Sequence, residues 1–176
     1  MATLQVDSLL FSFSGSVTAE LYDRWIHYCQ VFNASGGQKA VDVVAIEENG
    51  AAATTWLIEA KDFRVITNPP KPANIGGLPQ QIADKVHDTI VGLRDAAINA
   101  IDPREKQHSA NAMVSPIVRI VLHLEPHVGP HSALFPSRFA VNVFQRLRQL
   151  VNQIDPNALV LNISNTPMAG VPWTVS

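Results

Sequence analysis

Apolar positions recur along this chain with two periods, and the switches between them mark out its elements. Leu21, Trp25, Tyr28 and Phe32 follow Thr18 at helical spacing, with Glu20 and Asp23 where a helix dipole favours acids. This predicts a first helix over residues 18–32, closed by Asn33-Ala34-Ser35-Gly36-Gly37. The runs 39–46 (KAVDVVAI) and 55–62 (TWLIEAKD) then read as strands, and Asn49-Gly50 between them is a hairpin turn signal. The earlier stretch from Leu4 to Phe13, apolar with Ser and Asp interspersed, suits either a strand or a short amphipathic lead-in.

In the second half the helical period dominates. Pro79 suits a first helical turn, and Ile82, Val86, Ile90, Leu93, Ala97 and Ile101 trace one apolar stripe until Asp102-Pro103. The polar segment 104–111 is expected to be an exposed connector, and Pro116 to Leu124 a buried strand. Ser137 is a candidate cap for a second long helix, with Ala140, Phe144, Leu147, Val151 and Ile154 on its core side. Residues 158–163 form a last strand, and Trp173 is expected to pack back from an irregular tail over 165–176. Asn68-Pro69-Pro70-Lys71-Pro72 and Gly76-Gly77 mark a loop, and 125–136 a second one. Helix, two strands, helix, strand, helix, strand is an α/β order with a mixed sheet flanked by helices. One domain over 1–176 is expected, its core at 18–124, with the helix and strand of 137–163 extending it.

Composition narrows the function classes. A hydrophobic fraction of 47% with 16% charged residues excludes a disordered chain. A formal charge of −2 argues against purely electrostatic nucleic-acid binding, although 13 Lys and Arg residues suffice for a local basic cleft. Cys29 is the single cysteine, which excludes an intrachain disulfide and points to a reducing compartment. With no basic leader and no apolar run of membrane-spanning length, a soluble cytoplasmic protein is expected, with no membrane partner.

The chemistry lies in the hairpin. A two-residue turn at Asn49-Gly50 sets Ala40 opposite Glu59 and Asp42 opposite Leu57, so Asp42, Leu57, Glu59 and Lys61 share a face. Asp42 and Glu59 are then diagonal neighbours about 7–8 Å apart at the backbone, within reach of one cation. Mg²⁺ is commonly held by one or two carboxylates plus water and phosphate oxygens, and Lys61 would stand beside it. A solvated face carrying a Glu–Lys pair is the plainer alternative, and a slip of one residue would separate the three groups.

Asp42 followed 17 residues later by Glu59-Ala60-Lys61, in helix–strand–strand–helix–strand order, resembles the PD-(D/E)xK nuclease superfamily. The resemblance covers about residues 18–124, with Val41 where that family often has proline. It implies a restriction-endonuclease-like fold and a Mg²⁺-dependent (or Mn²⁺-dependent) nuclease acting on nucleic acid, DNA foremost, and such enzymes often work as homodimers. By the same resemblance Asp42 and Glu59 ligate the ion, helped by the Ala60 backbone carbonyl, and Lys61 is catalytic. Glu20 or Asp23 would add an acid from the first helix, and Gln81 or Lys85 a polar group from the helix after the motif. The competing reading is a catalytically silent protein on the same scaffold, binding nucleic acid or a protein partner.

Other clusters carry less. His123, His127, His131 and Glu125 invite a zinc reading, but Pro126, Gly129 and Pro130 prevent the helix that would stack them. His27 lies near Glu20 and reads as a core or surface histidine. Arg138, Arg146 and Arg148, with Arg64 and Lys71, suit either phosphate contacts or a solvated surface, and Cys29 is expected to be a buried thiol.

Overall fold

The structure, a computed structural model, describes residues 2–49, 52–64, 76–127 and 138–176. Among the described residues eight strands form two sheets. β1 (Thr3–Val6), β2 (Leu9–Phe13) and β8 (Trp173–Val175) make a small antiparallel sheet in the order β1-β2-β8. The larger sheet runs β3 (Val17–Leu21), β4 (Val43–Asn49), β5 (Ala52–Asp62), β6 (Ile117–Glu125), β7 (Leu159–Leu161). Its first three strands are antiparallel neighbours, whereas β5, β6 and β7 are parallel. Parallel neighbours need long crossovers. Helices α1 (Leu78–Asn99) and α2 (Pro103–Val114) make the first, and α3 (Phe139–Val151) makes the second.

Two cores share the larger sheet. Leu57, Val44, Ile120 and Leu122 pack with Ile82, Val86, Leu93, Val143 and Leu147 of the helices. On the opposite face Trp56, Ile58, Ala60 and Val121 pack with Phe11, Phe13, Trp173 and Val175 of the small sheet. β5 is therefore covered on both faces, which is why its middle reads as a nearly continuous buried run. The α/β class and the mixed sheet stand. The layering differs from the expected one: the three helices lie over one face, and a second sheet covers the other. Trp173 does pack back, as the first residue of a strand and against Phe13 and Trp56.

The first predicted helix is absent. Residues 17–21 form the edge strand β3, followed by a 3₁₀ turn at Tyr22–Arg24 and a π-helical turn at Tyr28–Phe32. Pairing of Val17–Leu21 with Val43–Glu47 supplies backbone partners that a local helical pattern cannot compete with. The aromatic spacing reflects a knot of rings, with Tyr22 edge-on to Trp25 and tilted against Tyr28.

Residues 104–111 are not an exposed connector but most of α2. Asp102 accepts a bond from the Arg104 N–H at 2.8 Å and Pro103 opens the helix, so the pair that ends one helix starts the next. The buried side of α3 is Phe139, Val143, Leu147 and Val151; Ala140 is exposed. The Asn68–Pro72 loop, Gly50, His131, the second loop from 128 onward and the Ser137 cap lie outside the described residues.

Candidate active site

The hairpin forms in a register two residues from the expected one. Val43 faces Ile58 and Asn49 faces Ala52, so Asp42 and Glu59 are the next residues across from each other. A shift of two preserves side-chain parity, and Asp42, Leu57, Glu59 and Lys61 remain on one face, the helix side. Asp42 is at a bend just before β4, and Glu59 and Lys61 are near the C-terminal end of β5. For the parallel strands β5 and β6 this is the carboxyl-end edge, where α/β folds commonly place ligands.

Helix α1 fastens that edge. The Val41 N–H donates to Thr89 Oγ1 at 3.0 Å, the Lys39 N–H to Asp88 at 2.8 Å, and Lys39 Nζ meets Asp84 at 2.7 Å. Asp42 turns one carboxylate oxygen to the Ala60 N–H at 2.7 Å, giving β5 a partner where β4 has ended. Glu59 is fully buried. Its Oε1 accepts from Lys61 Nζ at 2.6 Å, and Lys85 Nζ of α1 reaches Oε1 and Oε2 at 2.7 and 2.9 Å. Lys85 is also 3.8 Å from the second Asp42 oxygen. The ammonium groups open the cluster to solvent: Lys61 is 31% and Lys85 24% exposed, against 13% for Asp42.

Burial pushes the Glu59 carboxyl up from its ordinary value, and the Asp42 charge adds to that push, while Lys61 and Lys85 oppose it. Burial by itself would lower Lys61; the Glu59 charge and hydrogen bond, with Asp42, outweigh it and raise the ammonium. Asp23 is also raised, first by burial and then by Asp42, with Arg24 and Lys85 pulling it back. Asp23 is the acid of the 3₁₀ turn Tyr22–Arg24. Glu20, on β3, pairs with Val44 and lines a cavity of about 90 Å³ with Trp25, Asp102, Arg104 and Glu105.

From α1 it is Lys85 that touches both carboxylates, whereas Gln81, one turn earlier, is exposed. Ala60 meets Asp42 through its N–H. Lys85 and Gln81 share a helical spacing, so sequence pattern did not separate them; the clipping of Lys39 and Val41 onto α1 does.

Among the described residues no group of three or more His, Cys, Asp and Glu side chains is placed to hold a metal ion. Two carboxylates with water and phosphate oxygens are nevertheless an ordinary donor set for Mg²⁺, and Asp42 and Glu59 supply hard oxygens of that kind. His123 is buried on the other face of the sheet, bonded to Glu125 at 2.9 Å and edge-on to Phe11; burial lowers its pKa. His127 Nδ1 lies 2.9 Å from the Phe63 carbonyl. His27 is buried against Asp95 at 2.8 Å. Cys29 is exposed, contrary to expectation, with its thiol donating to the Asp23 carbonyl. Arg64 pairs with Asp62 and Arg148 with the Pro156 carbonyl, so both have structural partners.

No family model matches the chain. No solved structure matches it either. It is similar to a cysteine–tRNA ligase of Neisseria meningitidis serogroup A, 27% identical over 214 aligned positions that take in all of this chain. The chain spans 30% of that ligase's length. Among the described residues no helix is long and apolar enough to cross a membrane.

Proposed function

We propose that this protein is a divalent-metal-dependent nuclease of the PD-(D/E)xK type, hydrolysing phosphodiester bonds in nucleic acid, with DNA as the first substrate to test. The observation that carries this reading is the convergence of Asp42, Glu59 and Lys61 at one edge of an otherwise apolar sheet face. Ionisable groups buried at such a position cost several kcal/mol unless pairing or function retains them. The order of three antiparallel strands, crossover helices and a parallel fourth strand, β3-β4-β5-β6, supports a restriction-endonuclease-like core.

Asp42 and Glu59 would hold Mg²⁺ or Mn²⁺, with the Ala60 carbonyl as a further ligand. The bound ion would supply charge neutralisation at the phosphate and a more acidic water. Lys61, fixed by Glu59 and partly open to solvent, orients the attacking water and offsets charge on the phosphate oxygens. Glu59 holds Lys61 in its charged form. Asp42 ties the site to the β5 backbone through Ala60. Cytoplasmic location and a homodimeric working form belong to the same proposal.

The test is Mg²⁺-dependent cleavage of labelled single- and double-stranded DNA and RNA by wild type, Asp42→Ala, Glu59→Ala and Lys61→Ala. Loss of cleavage in all three, with folding retained, is expected. Equal activity in the variants sinks the proposal. One observation favours a second reading, a silent nucleic-acid-binding module: both Glu59 oxygens are already taken by ammonium groups. The similarity to a segment of a longer ligase whose name specifies tRNA suits such a module. Nucleic-acid binding without cleavage at any Mg²⁺ or Mn²⁺ concentration would select it.

A further inference from the structure

Lys85 stands where a cation would stand. Its ammonium lies 2.7 and 2.9 Å from the two Glu59 oxygens and 3.8 Å from Asp42 Oδ1, bridging the two carboxylates. Its placement is built in, because Ile82 and Val86 on either side of it are buried in the helix-side core. Thr89, one turn further along α1, holds the N–H of Val41, the neighbour of Asp42. Helix and carboxylate are thus fixed relative to each other by bonds that do not involve Lys85, and the flexible lysine stem carries the ammonium to the pair. That stem is 24% exposed and has four rotatable carbons, so the ammonium can leave without moving the helix. Lys61 differs: it bonds one Glu59 oxygen, and none of its bonds bridges Glu59 to Asp42.

We propose that Lys85 is the resident cation of the Asp42–Glu59 pair: it holds the carboxylates together in the metal-free protein and competes with the divalent ion for them. This rests on the proposed reading that Asp42 and Glu59 receive a metal. The ammonium satisfies two carboxylates that would otherwise repel across the hairpin, and its charge opposes entry of a second cation. Once displaced, it remains tethered beside the pair, at a distance from which it can meet an incoming phosphate. Metal binding and substrate binding then support each other, since each gives Lys85 or the carboxylates a new partner.

Direct titration with Mn²⁺, following the free ion by electron paramagnetic resonance, tests this on wild type, Lys85→Met, Lys85→Gln and Asp42→Asn. Removing a like charge from the ion's position is expected to tighten Mn²⁺ binding by about tenfold or more in both Lys85 variants, and Asp42→Asn to weaken it. Lys85 variants that bind Mn²⁺ no more tightly than wild type, while Asp42→Asn loses binding, overturn the competition and leave the metal site standing. No Mn²⁺ binding by any form overturns both. Should the Lys85 variants not fold, wild type labelled with ¹³C at lysine Cε decides. Mg²⁺ is expected to move the Lys85 signal towards that of a solvated lysine, and an unmoved signal at saturating Mg²⁺ overturns the proposal.

Discussion

Glu59→Gln separates a functional carboxylate from a structural one, because it removes the charge and keeps the shape. In wild type the fully buried Glu59 carboxylate accepts three short contacts, at 2.6, 2.7 and 2.9 Å, from two ammonium groups. Bonds to charged groups contribute about 1.5–3 kcal/mol each, so weakening them costs a few kcal/mol. Against this, burying a carboxylate costs several kcal/mol, and here Asp42 repels it as well. The two largely offset, and Glu59→Gln is expected to lose no more than about 2 kcal/mol in urea unfolding. Glu59→Ala strands both ammonium groups beside a cavity and should lose about 3–5 kcal/mol. Mg²⁺-dependent cleavage should fall by about 100-fold or more in both, since neither can place negative charge at the site. The pH dependence follows from the direction of the shift. Because Glu59 is raised from 4.5 in the folded state, the stability linked to its protonation is present below that value and lost as pH rises through the raised one. Wild type should therefore lose stability relative to Glu59→Gln over that upper window. A Glu59→Gln protein as unstable as Glu59→Ala, or one that still cleaves, would refute the reasoning.

Three further outcomes are expected. Lys61 is held charged, its pKa raised above 10.5, so the stability it contributes is full below 10.5 and disappears as pH rises through the raised value; alkaline unfolding monitored by circular dichroism should start earlier in Lys61→Ala. Gly92 lies in the interior of α1, where an added Cβ would run into the Tyr22 hydroxyl and come 3.1 Å from the Phe32 ring. Gly92→Ala should therefore destabilise by about 1–3 kcal/mol by urea unfolding, despite alanine's better helix propensity, and a stabilised variant would contradict the packing. His108 is buried with Nε2 3.2 Å from the Val44 carbonyl, and burial lowers its pKa. Its contribution is present above 6.5 and lost as pH falls through the depressed value, so His108→Gln should flatten stability over that range, with Trp25 beside it as the fluorescence reporter.

The parts of the fold read correctly from sequence are those whose pattern is set locally. Of the α1 stripe, Ile82, Val86 and Leu93 are buried and Ile90 and Ala97 partly so, whereas Ile101 lies past the helix end and is exposed; of the strand expected over 116–124, β6 is buried from Ile120 onward and exposed at Ile117. Trp56, Ile58 and Ala60 share one face and Leu57, Glu59 and Lys61 the other because strand alternation depends only on parity. That is also why a register two residues from the expected one left the proposed site intact. β3 was hidden because a five-residue edge strand has too little pattern of its own and takes its conformation from β4. The second helix went unread because Asp102-Pro103 serves equally as a stop and as a cap.

Sequence by itself named the carriers of the proposed site: Asp42 on the run 39–46, and Glu59 and Lys61 alternating on the next. Tertiary structure decided how they are used. Long-range pairing set Asp42 across from Glu59, and the packing of α1 chose Lys85 over Gln81 to meet them. Pairing of β3 with β4 kept Glu20 at a separate cavity beside the start of α2, while burial, and after it the Asp42 charge, raises Asp23. Alternation along a strand is a property of the chain, whereas the distance between a helix residue and a strand residue is a property of the core that holds them.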